Sequence, residues 1–140
     1  MPAIRLELVL LKEHLAVCRL PAGADVPGWA VAGEFVSVTR TSDELSVVCG
    51  EAEVPEGVQA DRGWRALRVA GTLELSLVGV LASLANALAG AGVSLFAVST
   101  FDTDYLLVRG HDLERATAAL RADGHAVHDV DAGPPAVPTF

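Results

Sequence analysis

WRALRV at 64–69, SLVGVLASLANALA at 76–89, VSLFAVS at 93–99, YLLVR at 105–109, DLERATAALRA at 112–122 and AVHDV at 126–130 decide the fold. In the second segment Leu77, Leu81, Leu84 and Leu88 recur at helical spacing, Ser76 stands where an N-cap belongs, and Gly90 and Gly92 close the run. Leu113, Ala116, Ala119 and Leu120 mark a second amphipathic helix, opened by Asp112 and stopped by Gly124. The other segments are rich in Val, Leu and aromatic residues and short enough to be strands. The order is β-α-β-β-α-β, which predicts an α+β, ferredoxin-like unit with an antiparallel sheet.

Working outward, residues 5–11 and 15–20 read as two strands joined by a turn at Lys12-Glu13-His14. Residues 21–28 connect them to strands at 35–39 and 45–49, around Arg40-Thr41-Ser42-Asp43. Residues 51–63 hold Pro55, two glycines and four acids without periodicity, and read as the linker between halves. The expected division is 1–60, 61–131, and a Pro-rich flexible tail at 132–140. Sliding the chain along itself by 60 residues lays Arg5 on Arg65, Val9 on Val69, Val38 on Val98, Thr39 on Ser99, Glu44 on Asp104 and Val48 on Val108. That is the pattern of a duplication whose first copy is degenerate and lacks both long helices.

Composition removes several functions. A chain that is 51% hydrophobic can bury a core, and a formal net charge of -8 repels phosphate backbones and anionic lipid surfaces. We expect neither nucleic-acid nor membrane partners. Residues 75–101 carry no charge, but Gly90-Ala91-Gly92 interrupts them and β-branched and aromatic residues follow, as in a helix, a turn and a buried strand. No apolar segment precedes a cleavage site near the N-terminus, so a cytoplasmic location is expected. Cys18 and Cys49 lie in apolar stretches as small hydrophobes; a disulfide between them is neither excluded nor favoured. His14, His111, His125 and His128 are scattered, and no Cys-x-x-Cys pair, phosphate loop or nucleophile elbow is present. We therefore expect no enzyme, no catalytic residue, no metal site and no cofactor.

The segment Ser76-Leu77-Val78-Gly79-Val80-Leu81, taken with residues 99–108 (STFDTDYLLV) and 35–48 (FVSVTRTSDELSVV), resembles bacterial tandem-ACT proteins, which are similar to the cytosolic arginine sensors of the target-of-rapamycin pathway. The resemblance implies two ACT repeats forming a non-catalytic, amino-acid-binding regulatory module, often a homodimer. The acid and proline of the ordinary ACT motif stand here as Ser76 and Val78.

A ligand site follows from helix-end chemistry and charge. The amides at a helix start favour a carboxylate, and a glycine lets it come close, so Gly79 with Val78 and Val80 is a candidate cradle. Asp104, helped by Ser99 and Thr100, would take an ammonium, with Phe101 as an apolar wall. Glu44, Ser46 and Val47 would come from the other half, placing the ligand at the interface of the repeats. The two acids, Asp104 and Glu44, lean the choice towards a cationic amino acid. Each residue has a plainer role open to it: Gly79 in helix–sheet packing, Asp104 in turn geometry. With no output domain in the sequence, the module would act on a separate protein partner. The alternative is a protein-interaction or dimerisation module with a vestigial pocket, using open strand edges.

Overall fold

The computed structural model describes residues 5–70 and 79–129. Ser76, Leu77, Val78 and the tail expected at 132–140 lie outside them. Among the described residues, seven strands and two α-helices run in the order β1 (Glu7–Leu20), β2 (Ser37–Arg40), β3 (Leu45–Gly50), β4 (Gln59–Val69), α1 (Val80–Gly90), β5 (Leu95–Ser99), β6 (Asp104–Arg109), α2 (Leu113–Ala122) and β7 (Ala126–Asp129). Among the described residues no helix is long and apolar enough to cross a membrane.

The hairpin expected at the N-terminus is one uninterrupted strand. Lys12-Glu13-His14 has no Gly, Asn or Asp to supply the positive φ of a tight hairpin turn, and among the described residues no non-glycine residue has positive φ. The linker is also shorter than expected: after a single 3-10 turn at Glu51–Glu53, β4 starts at Gln59. The chain forms two compact units, one of residues 13–64, the other of residues 1–12 with 65–140. β1 and β4 each give one end to either unit.

In the second of these units the helices do what their periodicity requires. Leu84 and Leu88 of α1, with Ala116 and Leu120 of α2, pack on Leu6, Leu8, Leu67, Val69, Leu106 and Val108 in a single core. The strand order is β7-β1-β4-β6-β5. A self-contained β-α-β-β-α-β repeat would pair β7 with β4; here the first residues of β1 lie between them, in parallel register with β7 from Glu7↔Ala126 to Leu10↔Asp129. The antiparallel expectation holds for β5 with β6 and fails at this pair. His125 secures the junction: its buried Nδ1 accepts from Leu6 N–H at 3.1 Å, and Ala126 N–H donates to Leu6 O. Beside it His128 Nε2 lies 2.6 Å from Glu7 Oε2.

Asp112 occupies the N-cap position of α2 without capping it; its carboxylate pairs with Arg115 one turn on. In the unit of residues 13–64, β2, β3, β1 and β4 are neighbours in that order, with Arg19 opposite Ser46 and Val17 opposite Val48. Side chains alternate across these strands, so Ala16, Cys18, Leu45, Val47 and Cys49 form the core with Ala30 and Val54. Glu13 reaches across to accept from Phe35 N–H, and its carboxylate fills the space a side chain on Gly50 would need.

Candidate functional site

Gly79 is the N-cap of α1 with φ 90°, a left-handed conformation that costs a glycine little. Its carbonyl accepts from Ser83 N–H, and glycine has no side chain with which to cap the helix, so among the described residues no side chain caps the first amides of α1. Gly79 is exposed, whereas Val80, the next residue, is buried in the core. Val78 lies outside the described residues.

Ser99 and Asp104 are partners in register at the closed end of the β5–β6 hairpin. Thr100 closes the turn: its amide and hydroxyl both donate to Thr103 O, and its Oγ1 accepts from Thr103 N–H. Thr103 Oγ1 donates in turn to Val69 O at 2.8 Å, fastening the turn to the end of β4. Phe101 at the tip is 82% exposed and touches no core. The hairpin thus brings Ser99, Thr100, Phe101 and Asp104 together. Among the described residues no hydrogen bond or ion pair ties Gly79 to them.

The remaining predicted residues separate. Val47 is a core residue of the unit of residues 13–64, while Glu44 and Ser46 face an open cleft of about 330 Å³. Arg19, Gln59 and Asp61 line the same cleft and carry no motif that marks them in the sequence; only the pairing of β1 with β3 and the earlier start of β4 put them there. Arg19 Nη2 donates to Asp43 O at 3.0 Å.

Cys18 and Cys49 sit on the core face of the same strands, both free and buried. Burial raises the Cys18 thiol, against the Cys49 hydrogen bond and Arg62, which lower it. Burial first, then Cys18, Glu13 and Glu53, push Cys49 up to about 12. Both are therefore protonated near neutrality and poor nucleophiles. Among the described residues no three His, Cys, Asp or Glu side chains are grouped to hold a metal ion.

Comparison with known proteins divides the chain a few residues earlier than the compact units do. Residues 59–122 match the ACT domain model, and residues 13–57 match a second model, that of an N-terminal domain. The crystal structure of the Agobacterium tumefaciens protein Atu0741 is 39% identical, over 91% of this chain and 95% of that one, with a TM-score of 0.86. A Vibrio cholerae protein of unknown function is 18% identical over 85% and 90% of the two chains, with a TM-score of 0.70. The regulatory subunit of aspartate kinase from Thermus thermophilus is 15% identical over 83% and 95%, with a TM-score of 0.57. The last two are likenesses of fold alone. The identity and coverage shared with the Agobacterium protein place this chain in the same family as that protein, with residues 59–122 matching the ACT domain model.

Proposed function

We propose that the chain is a non-catalytic regulatory protein whose ACT domain binds an amino acid. The observation that carries this is α1 opening at exposed, left-handed Gly79, which has no side chain of its own to cap the helix, inside the residues matched by the ACT model. The first amides and the positive end of a helix suit an α-carboxylate. The Asp104 carboxylate makes no ion pair among the described residues and suits an ammonium, with Ser99 and Thr100 beside it and Phe101 as an apolar wall. Binding would shift the chain between arrangements, or between monomer and homodimer, only insofar as the ligand prefers one of them, and a separate partner would read the change. Tandem repeats and kinship with the arginine sensors belong to the same proposal.

A thermal-shift screen against the proteinogenic amino acids tests it. A ligand present at about a hundred times its dissociation constant adds roughly 2.7 kcal/mol. A selective rise in melting temperature, abolished by Asp104→Ala with the fold intact, is the expected result. No shift with any of them would sink the reading and favour an interaction module, for which exposed Phe101 is the obvious contact.

A further inference from the structure

Cys18 and Cys49 stand in the core of the unit of residues 13–64 and take no part in the site proposed at Gly79 and Asp104. The register of β1 with β3 sets Ala16 opposite Cys49 and Cys18 opposite Val47, so the cysteines share one face as diagonal neighbours. Diagonal neighbours in an antiparallel pair lie about 7–8 Å apart, beyond the about 4.4–6.8 Å that a disulfide usually spans between Cα atoms. Their thiols are nevertheless hydrogen-bonded to each other. Two sulfurs that meet across a diagonal, on strands set too wide for a direct S–S bond, leave the place of a bridging atom between them.

The surroundings decide which atom fits. The pair packs among Ala16, Ala30, Leu45, Val47 and Val54, whose side chains carry no oxygen or nitrogen. Zinc asks for four ligands, and calcium and magnesium for a shell of oxygens. Among the described residues no third His, Cys, Asp or Glu is grouped with the pair to make up such a set. A soft monovalent ion that is satisfied by two thiolates, as copper(I) is, needs nothing more. Exchanging two protons for one such ion leaves a single negative charge in the core; Arg62 beside Cys18 has the sign to balance it, against Glu13 and Glu53 near Cys49. Cys18 also lines the open cleft of about 330 Å³, which brings solvent to β1 at that residue and gives a small ion a way to the sulfurs.

We propose that Cys18 and Cys49 form a two-coordinate copper(I) site, the ion held between their sulfurs within the core. Two S–Cu bonds form, both S–H protons leave to solvent, and no electron is transferred, so the step needs neither oxidant nor reductant.

The experiment is anaerobic titration of the full chain with copper(I) against bicinchoninate, a chromophoric chelator of that ion, with X-ray absorption on the loaded protein. It is repeated on Cys18→Ala and Cys49→Val, whose folding is checked by circular dichroism. The wild type should take one ion per chain from the chelator, with two sulfurs in its first shell, and excess zinc(II) should not displace it. Each substitution should weaken capture by more than the roughly 10–100-fold that loss of a supporting contact costs a metal site. Because two protons are displaced, the wild-type affinity should rise about a hundredfold per pH unit while both thiols are protonated, a readout that holds even where a variant fails to fold. No uptake, a first shell of nitrogen or oxygen, an affinity indifferent to pH, or full capture by either folded variant would each overturn the site.

Discussion

Two hairpins of this protein have the same construction and different contents. β2–β3 closes at Arg40↔Leu45 through Thr41-Ser42-Asp43-Glu44, and β5–β6 closes at Ser99↔Asp104 through Thr100-Phe101-Asp102-Thr103. In both turns the leading threonine amide donates to the carbonyl of the fourth residue, and its Oγ1 accepts from that residue's N–H. Equivalent positions are 59 apart throughout, from Ser37↔Val48 against Phe96↔Leu107 to the closing pair. Backbone chemistry common to the two hairpins leaves the side chains free to diverge. At the fourth turn position Thr103 is tied to Val69 O, while Glu44 faces a cleft; at one buried β position Val108 stands where the other hairpin has Cys49.

The largest expected effect tests that last pair. Folding holds the Cys49 thiol at about 12 against a free value of 9.0, so its folded-state affinity for a proton exceeds the unfolded one. The stability it contributes is complete below pH 9 and is lost as pH rises towards 12, at roughly 1 kcal/mol for each pH unit. Cys49→Val, the residue β6 uses, should flatten the decline of denaturation midpoint over that range. An unchanged slope would show that the thiol is not held protonated by the fold. In the wild type, both thiols should resist alkylation until the chain unfolds.

That one-residue difference in spacing also shows how far the sequence could be read. A shift of 60 aligns Glu44 with Asp104 and Val38 with Val98, because Val and acids recur on both hairpins. The ladders require 59, and in a strand a slip of one residue exchanges the two faces. When the two ladders are laid on each other Glu44 matches Thr103, and Asp104 matches Leu45, a core residue. Helices α1 and α2 were legible because their apolar residues recur every three or four positions and glycines end them. The insertion of β1 between β4 and β7 was not, since no local pattern records which distant strand a strand will pair with. Arg19 was invisible for the same reason: its partners Ser46 and Gln59 are brought to it only by pairing.

A smaller effect separates the two fourth turn positions. Thr103→Val keeps the shape and removes the hydroxyl that satisfies Val69 O in a buried place, which should cost about 1–3 kcal/mol in chemical denaturation. Glu44→Gln removes a charge that holds no fold contact, and should change stability by less than about 0.5 kcal/mol. Equal costs would mean that the cleft carboxylate is structural.

The smallest effect is expected at the second turn position, where Ser42 and Phe101 are equivalent. A phenyl ring 82% exposed makes almost no contribution to folding, because the same ring is solvated in the unfolded chain. Phe101→Ser, copying the other turn, should therefore leave the unfolding free energy within about 0.5 kcal/mol of the wild type. Its consequence should appear only in association: a weaker amino-acid complex if Phe101 walls the ligand, or a lower dimer fraction in sedimentation if it meets a second copy. A loss of stability in the isolated chain would instead place the ring against the fold and remove the contrast between the two turn tips.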